Sequence, residues 1–225
     1  MFRNLQGKYV TLKDYLEAAK EKHENKIFYV TDEKEQSQYI NMFREEKLDA
    51  VILTHNIDNP FITHEEQKHE GVKFLRIDAD VNEMFKEEVK EEDKETLEQE
   101  AKTLTETFRR ALGNDKLEVK VEKLKNESVS SMITVAEETR RMQEMMKMYN
   151  MYGMDPSMFG TSSTLVLNAN NALVKYLFEH PEGEHTNMIC EQLYDLAMIS
   201  QQPLNPDEMT RFIQRSNDIM MILAK

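Results

Sequence analysis

Three short apolar segments, residues 26–31 (Lys-Ile-Phe-Tyr-Val-Thr), 50–54 (Ala-Val-Ile-Leu-Thr) and 72–77 (Val-Lys-Phe-Leu-Arg-Ile), constrain the first third of the chain most tightly. Each is rich in β-branched and aromatic residues and too short for a core helix, so each reads as a buried strand. Helical patterns separate them. Thr11 and Asp14 can cap a helix with Leu12, Tyr15, Leu16 and Ala19 on one side. Residues 32–35 open a second, with Tyr39, Ile40 and Phe43 inward, and a third runs to about residue 68 after Asn59-Pro60. Strands alternating with helices of this length predict a small parallel sheet flanked by helices, with right-handed crossovers.

A change of composition follows. Residues 78–95 are dominated by Asp, Glu and Lys, a solvated connector entering a helix, and the predicted division falls between 1–88 and 89–225. The next helix carries Leu97, Ala101, Leu104, Phe108 and Leu112 on one stripe and ends at Gly113-Asn114. Leu117, Val119 and Val121 alternate with charges as in a half-buried strand, and residues 129–135 are expected to return as its antiparallel partner. After a further strand at 164–167 and a short helix, two helices finish the chain. The last has Asn205 as N-cap, Pro206 at its first position, and Asp207 and Glu208 near the positive dipole end. An apolar hairpin with little chain left to cover it points to a subunit interface, against the plainer reading of packing on its own sheet. Its candidate residues are Leu193, Leu196, Phe212, Ile213, Ile219, Met220 and Leu223.

Residues 142–158 hold seven of the sixteen methionines. A helix over about 135–151 is expected, opened by a Thr134/Glu137 capping box and stopped by Gly153 and Pro156. Met142, Met145, Met146 and Tyr149 share one face, with Met148 and Met151 beside it. The bland reading is a core helix. The lack of Leu, Ile and Phe between Ala136 and Met158 weighs towards an adaptable binding surface, because methionine-dense faces serve proteins that fit many partners.

Other functions are disfavoured. A net charge of −13 argues against nucleic acid or an anionic membrane as partner, and no apolar run approaches the length of a bilayer span. The first residues form no signal peptide, and the single cysteine, Cys190, permits no internal disulfide, so a cytoplasmic location is expected. His64 and His69 stand five apart rather than four and would diverge on a helix, so no metal site is assigned. The glycines are scattered and form no phosphate-cradling loop, and no nucleophile elbow occurs, so no catalytic residue is assigned either. The Asn126-Glu-Ser128 sequon is treated as chance in a chain that is not exported.

The order of segments resembles the C-terminal part of the ninety-kilodalton heat-shock chaperones, particularly the bacterial form. The passages that carry the likeness are Gly7-Lys-Tyr-Val-Thr-Leu-Lys-Asp-Tyr15, residues 26–31, Leu48-Asp-Ala-Val-Ile-Leu53 with Asn56-Ile-Asp58, and Leu165-Val-Leu-Asn-Ala-Asn170 with Ala172-Leu-Val-Lys175. Each is short; their order and spacing span the whole chain. The resemblance implies a mixed α/β (α+β) protein. Residues 1–88 would be the small αβα subdomain of the chaperone's middle segment. Residues 89–225 would be a dimerisation domain whose final helices form a four-helix bundle across a homodimer. It implies an amphipathic client-binding helix near 135–151 and a further apolar client contact for which Phe61 is the candidate. Unfolded or partly folded clients and other chaperones would be the partners. ATP and magnesium would belong to an N-terminal domain that this sequence lacks, so no cofactor and no enzymatic activity are expected of this chain. It carries neither an acidic Glu-Glu-Val-Asp tail nor a retention signal, which favours the bacterial cytoplasmic branch. The competing reading is a dimerisation scaffold whose methionines are only core.

Overall fold

In the computed structural model, residues 1–55, 57–79, 85–137, 139, 141, 163–201 and 203–224 are described. The chain is mixed α/β and divides into two compact units, residues 1–80 with 135–162, and residues 81–134 with 163–225.

The first unit holds a five-stranded sheet in the order β2-β1-β4-β3-β5, formed by β1 (Phe2–Asn4), β2 (Tyr9–Val10), β3 (Lys26–Val30), β4 (Val51–Ile52) and β5 (Lys73–Arg76). The three expected strands are there, and β3 runs parallel to both β4 and β5. Sequence reading missed β1 and β2, an antiparallel hairpin turned at Gly7, whose φ of 76° suits glycine. Two- and three-residue strands leave too little alternation to detect.

Strand β3 sorts its side chains by the pleat. Ile27 and Tyr29 join Tyr15 and Ala19 of α1 (Leu12–His23), Ile62 of α3 (Asp58–Lys68) and Phe74 in one buried cluster. Phe28 meets Phe43 of α2 (Ser37–Glu45) edge-on at 5.1 Å. Helix α1 starts at the predicted Thr11/Asp14 capping box. Helix α2 starts later than expected, because Asp32 folds residues 32–36 into turns: its carboxylate accepts the amides of Lys34 and Glu35.

In the second unit, β6 (Glu118–Glu122), β7 (Ser131–Val135) and β8 (Ser163–Asn168) form a sheet in the order β6-β8-β7. The expected antiparallel pairing of β6 with β7 is therefore wrong. Strand β8 lies between them, parallel to β6, with Val119 opposite Leu165 and Val121 opposite Leu167. Burial explains the order. Leu165, Val166 and Leu167 are all closed off from solvent, so β8 must be covered on both faces and edges, whereas alternating β6 can stand at the rim.

Buried Asn168 fastens this sheet to the loop before β7. Its side-chain oxygen accepts the amides of Leu124 and Asn170, and its amide group donates to the carbonyls of Asn126 and Val129. Helix α4 (Glu91–Leu112) buries Leu104 and Phe108 and ends at Gly113 in the left-handed conformation, as its sequence predicts. The chain continues through α5 (Ala172–Glu179), α6 (Thr186–Ile199) and α7 (Pro206–Leu223).

Candidate functional site

Among the described residues, each unit exposes apolar side chains. In the first, Phe61 lies 37% exposed on α3, its ring 5.7 Å from that of Phe2. It borders a shallow depression of about 540 Å³ shared with Tyr9, Ile52, Arg3 and Asp58. Asp58 caps the turn into α3 by accepting the amide of His55 at 2.8 Å, and Pro60 sits in the first helical turn, where no amide is required. The helix thereby begins three residues before the expected start, and Phe61 lies in its first turn. Ile57 and Tyr9, both more than two-thirds exposed, widen the apolar surround.

In the second unit the surface is the terminal hairpin. Helix α7 begins at Asn205, which exchanges side chain–backbone bonds with Glu208 and has Pro206 just inside, as the sequence predicts. Polar bonds link α7 to α6. Arg215, nearly buried, donates to Glu191 at 2.9 Å and Gln192 at 3.0 Å and pairs with Asp195, while Gln192 donates to Ser216. No α7 residue is buried. Ile213 is 52% exposed, Met220 58% and Leu223 82%. Leu196 is also exposed, and Phe212 and Ile219 are half-buried. Leu193 differs: its side chain is closed into its own unit, and its carbonyl accepts the Ser131 hydroxyl.

The Met-rich candidates, Met142, Met145, Met146, Met148, Tyr149 and Met151, lie outside the described residues. Just ahead of them the structure corrects the expected cap. Thr134 is a buried member of β7, so it cannot be the helix N-cap. Glu137 instead accepts the Tyr29 hydroxyl at 2.7 Å and the Arg76 amide at 3.0 Å. Arg141, given no role in the sequence reading, donates to Glu137, to both oxygens of Glu66 and to the Phe74 carbonyl. Burial works against the Arg141 charge, but Glu66 and Glu137 outweigh it and hold the guanidinium above its ordinary range. Glu66 is shifted the other way: burial opposes its charge, and the bonds from Arg141 and the Phe74 amide keep its carboxyl below the usual range. The i, i+4 spacing of Glu137 and Arg141 was the available sequence signal for half of this cluster.

Among the described residues no cluster of His, Cys, Asp and Glu could hold a metal. His64 is exposed, and His69, the C-cap of α3, lies 3.5 Å from Glu65. Burial pushes the Cys190 thiol up to about 12, leaving an inert packing group. Among the described residues no helix is long and apolar enough to cross a membrane.

Comparison with known proteins gives the family. A family model described as Hsp90 protein matches residues 2–224. A relative named Chaperone protein HtpG from Bacteroides thetaiotaomicron is 31% identical over 196 residues, covering 81% of this chain and 28% of its own length. A Bacteroides fragilis protein of the same name is 32% identical, covering 82% of this chain and 28% of its own. The Colwellia psychrerythraea protein is 25% identical over 96% of this chain and 33% of its own. The chain thus spans about a third or less of the length of these relatives. With one family model covering all but its extreme ends, the chain belongs to the Hsp90 family of chaperones.

Proposed function

We propose that this chain is a chaperone segment that homodimerises through α6 and α7 and holds partly folded client proteins on apolar surfaces. The observation that supports it most is the inverted use of α7: its polar Arg215 side is engaged within the chain, and Ile213, Met220 and Leu223 face solvent. A helix exposing that much apolar surface calls for a covering partner, and a twofold copy offers the matching face. Two hairpins from two protomers would make a four-helix bundle. Leu196, Phe212 and Ile219 would complete the interface. Phe61 is the client contact on the small αβα unit, and the Met142–Met151 stretch is its counterpart, because thioether side chains fit varied apolar shapes. ATP has no assigned role in this chain.

Sedimentation and client protection test this reading together. The wild-type chain should sediment as a dimer and suppress aggregation of a chemically unfolded reporter protein, with or without ATP. Ile213→Asp with Met220→Asp should give folded monomer, since each buried apolar side chain contributes roughly 1.5–3 kcal/mol to such an interface. An unchanged dimer would remove α7 from the interface. Met145→Ser with Met146→Ser should leave the melting midpoint nearly intact while weakening protection. A loss of about 2 kcal/mol or more per site would make those methionines core and leave a dimerisation scaffold.

A further inference from the structure

Among the described residues, strand β5 is an edge of its sheet, pairing with β3 in the order β2-β1-β4-β3-β5. Its amides alternate in direction. Those of Lys73 and Ile77 face β3, donating to Asn25 and Tyr29 carbonyls at 3.1 and 3.0 Å. Those of Phe74 and Arg76 face the open side, where another strand would normally accept them. Here side chains take that place. Glu66 accepts the Phe74 amide at 2.7 Å, Glu137 accepts the Arg76 amide at 3.0 Å, and Arg141 donates to the Phe74 carbonyl at 2.9 Å. Arg141 ties the two carboxylates together by its forked bonds to Glu66 and its Nε bond to Glu137.

We propose that Glu66, Glu137 and Arg141 form a side-chain latch that takes up the outward backbone groups of β5 as a neighbouring strand would, one that opens without unfolding the sheet behind it. The contacts favour local opening. They are polar, they involve ionised groups that remain partly solvated, and no apolar side chain takes part in them. Arg141 is 30% exposed, Glu66 22% and Glu137 13%. Regions held by such contacts open well below the cost of global unfolding, whereas the Phe74 and Tyr29 side chains beneath sit in the closed core. Once open, the edge offers two amides and a carbonyl to a single extended backbone, so the latch also decides whether β5 can accept a strand. It further fixes the residues immediately before the Met-rich stretch to the αβα unit. This inference stands apart from client binding and survives the failure of that reading.

Residue-resolved amide exchange on the full chain reads the latch directly. Phe74 and Arg76 should exchange faster than Lys73 and Ile77. Raising NaCl from about 0.05 to about 0.5 M should speed the first pair roughly three- to tenfold by screening partly solvated ion pairs, and leave the second unchanged. Arg141→Gln should speed Phe74 and Arg76 by about tenfold and abolish most of that salt response. A common rate for all four amides, indifferent to salt, would overturn the proposal, because the edge would then open only with its unit. The wild-type salt series decides the matter even if the variant fails to fold.

Discussion

Helix α1 opens with Thr11 and Asp14 exchanging side chain–backbone bonds, and α7 opens with Asn205 and Glu208 doing the same. From that shared start they diverge. Helix α1 turns Tyr15 and Ala19 into a closed cluster with Ile27, Ile62 and Phe74, whereas α7 buries no residue and is held by Arg215. Capping is written within four residues and fixes where a helix begins. What covers the apolar side is decided far along the chain, or in another chain.

The largest effect that would sharpen this contrast is Phe74→Ala. Phe74 is fully buried, so the truncation should cost about 3–5 kcal/mol, read as a urea midpoint shift at every protein concentration. Ile213→Ser should lower the midpoint only where protein concentration sustains association. A concentration-independent loss would mean that α7 is covered by its own chain, and the contrast with α1 would collapse. Next comes Arg215→Ala. It leaves Glu191 and Asp195 facing a gap and should cost about 2 kcal/mol, seen as early protease cleavage within α7. Resistance equal to wild type would show that packing, rather than the Arg215 bonds, holds the hairpin.

Much of this was legible in sequence, unevenly. The three parallel strands, the Thr11 and Asn205 caps and the Gly113 stop were read correctly because each depends on neighbours within a few residues. Strand order in the second unit was not. Nothing local says that residues 163–168 insert between β6 and β7; only their unbroken apolar run hints at a central place. Phe61 could be named only by resemblance, and its exposure on α3 shows only in the structure. Glu137 was assigned to a cap with Thr134 and Arg141 to nothing, since their partners at Glu66, Phe74 and Arg76 lie more than sixty residues away.

The closed side of the comparison should also respond to pH. His23 is buried at the end of α1, edge-on to Phe28 at 5.0 Å. The Tyr15 hydroxyl donates to the Asp49 carbonyl at 2.7 Å, so it accepts from His23 Nδ1, 3.1 Å away, which sets the neutral tautomer. Burial, aided by the nearby Lys22 charge, lowers the His23 pKa from 6.5 to about 4. The unfolded chain then takes up a proton below pH 6.5 that the folded unit refuses. Stability is full above 6.5 and declines as pH falls towards 4, by about 2 kcal/mol at pH 5. Glu66, with its lowered pKa, protects the unit until the pH falls below its ordinary 4.5, so the window above that belongs to His23. Thermal midpoints of His23→Gln should be flatter between pH 6.5 and 4.5; a slope equal to wild type would remove His23 as its source.

The smallest expected effect probes the feature the two helices share. Thr11→Ala and Asn205→Ala each remove a side-chain acceptor for an early helix amide and should each cost about 1 kcal/mol locally. The cost should surface in different measurements. Helix α1 is part of a closed core, so losing Thr11 should lower the urea midpoint of its unit by that amount. Helix α7 lacks a buried residue, so its first turn can fray without opening the core behind α6. Asn205→Ala should therefore leave the protomer's own midpoint nearly unchanged and weaken association about fivefold, because the interface must re-form the frayed turn on binding. Sedimentation of both variants over a dilution series separates the outcomes. If Asn205→Ala lowers the protomer midpoint as far as Thr11→Ala does, α7 is as integral to its unit as α1, and the proposed division between a helix that closes a core and one that waits for a partner fails.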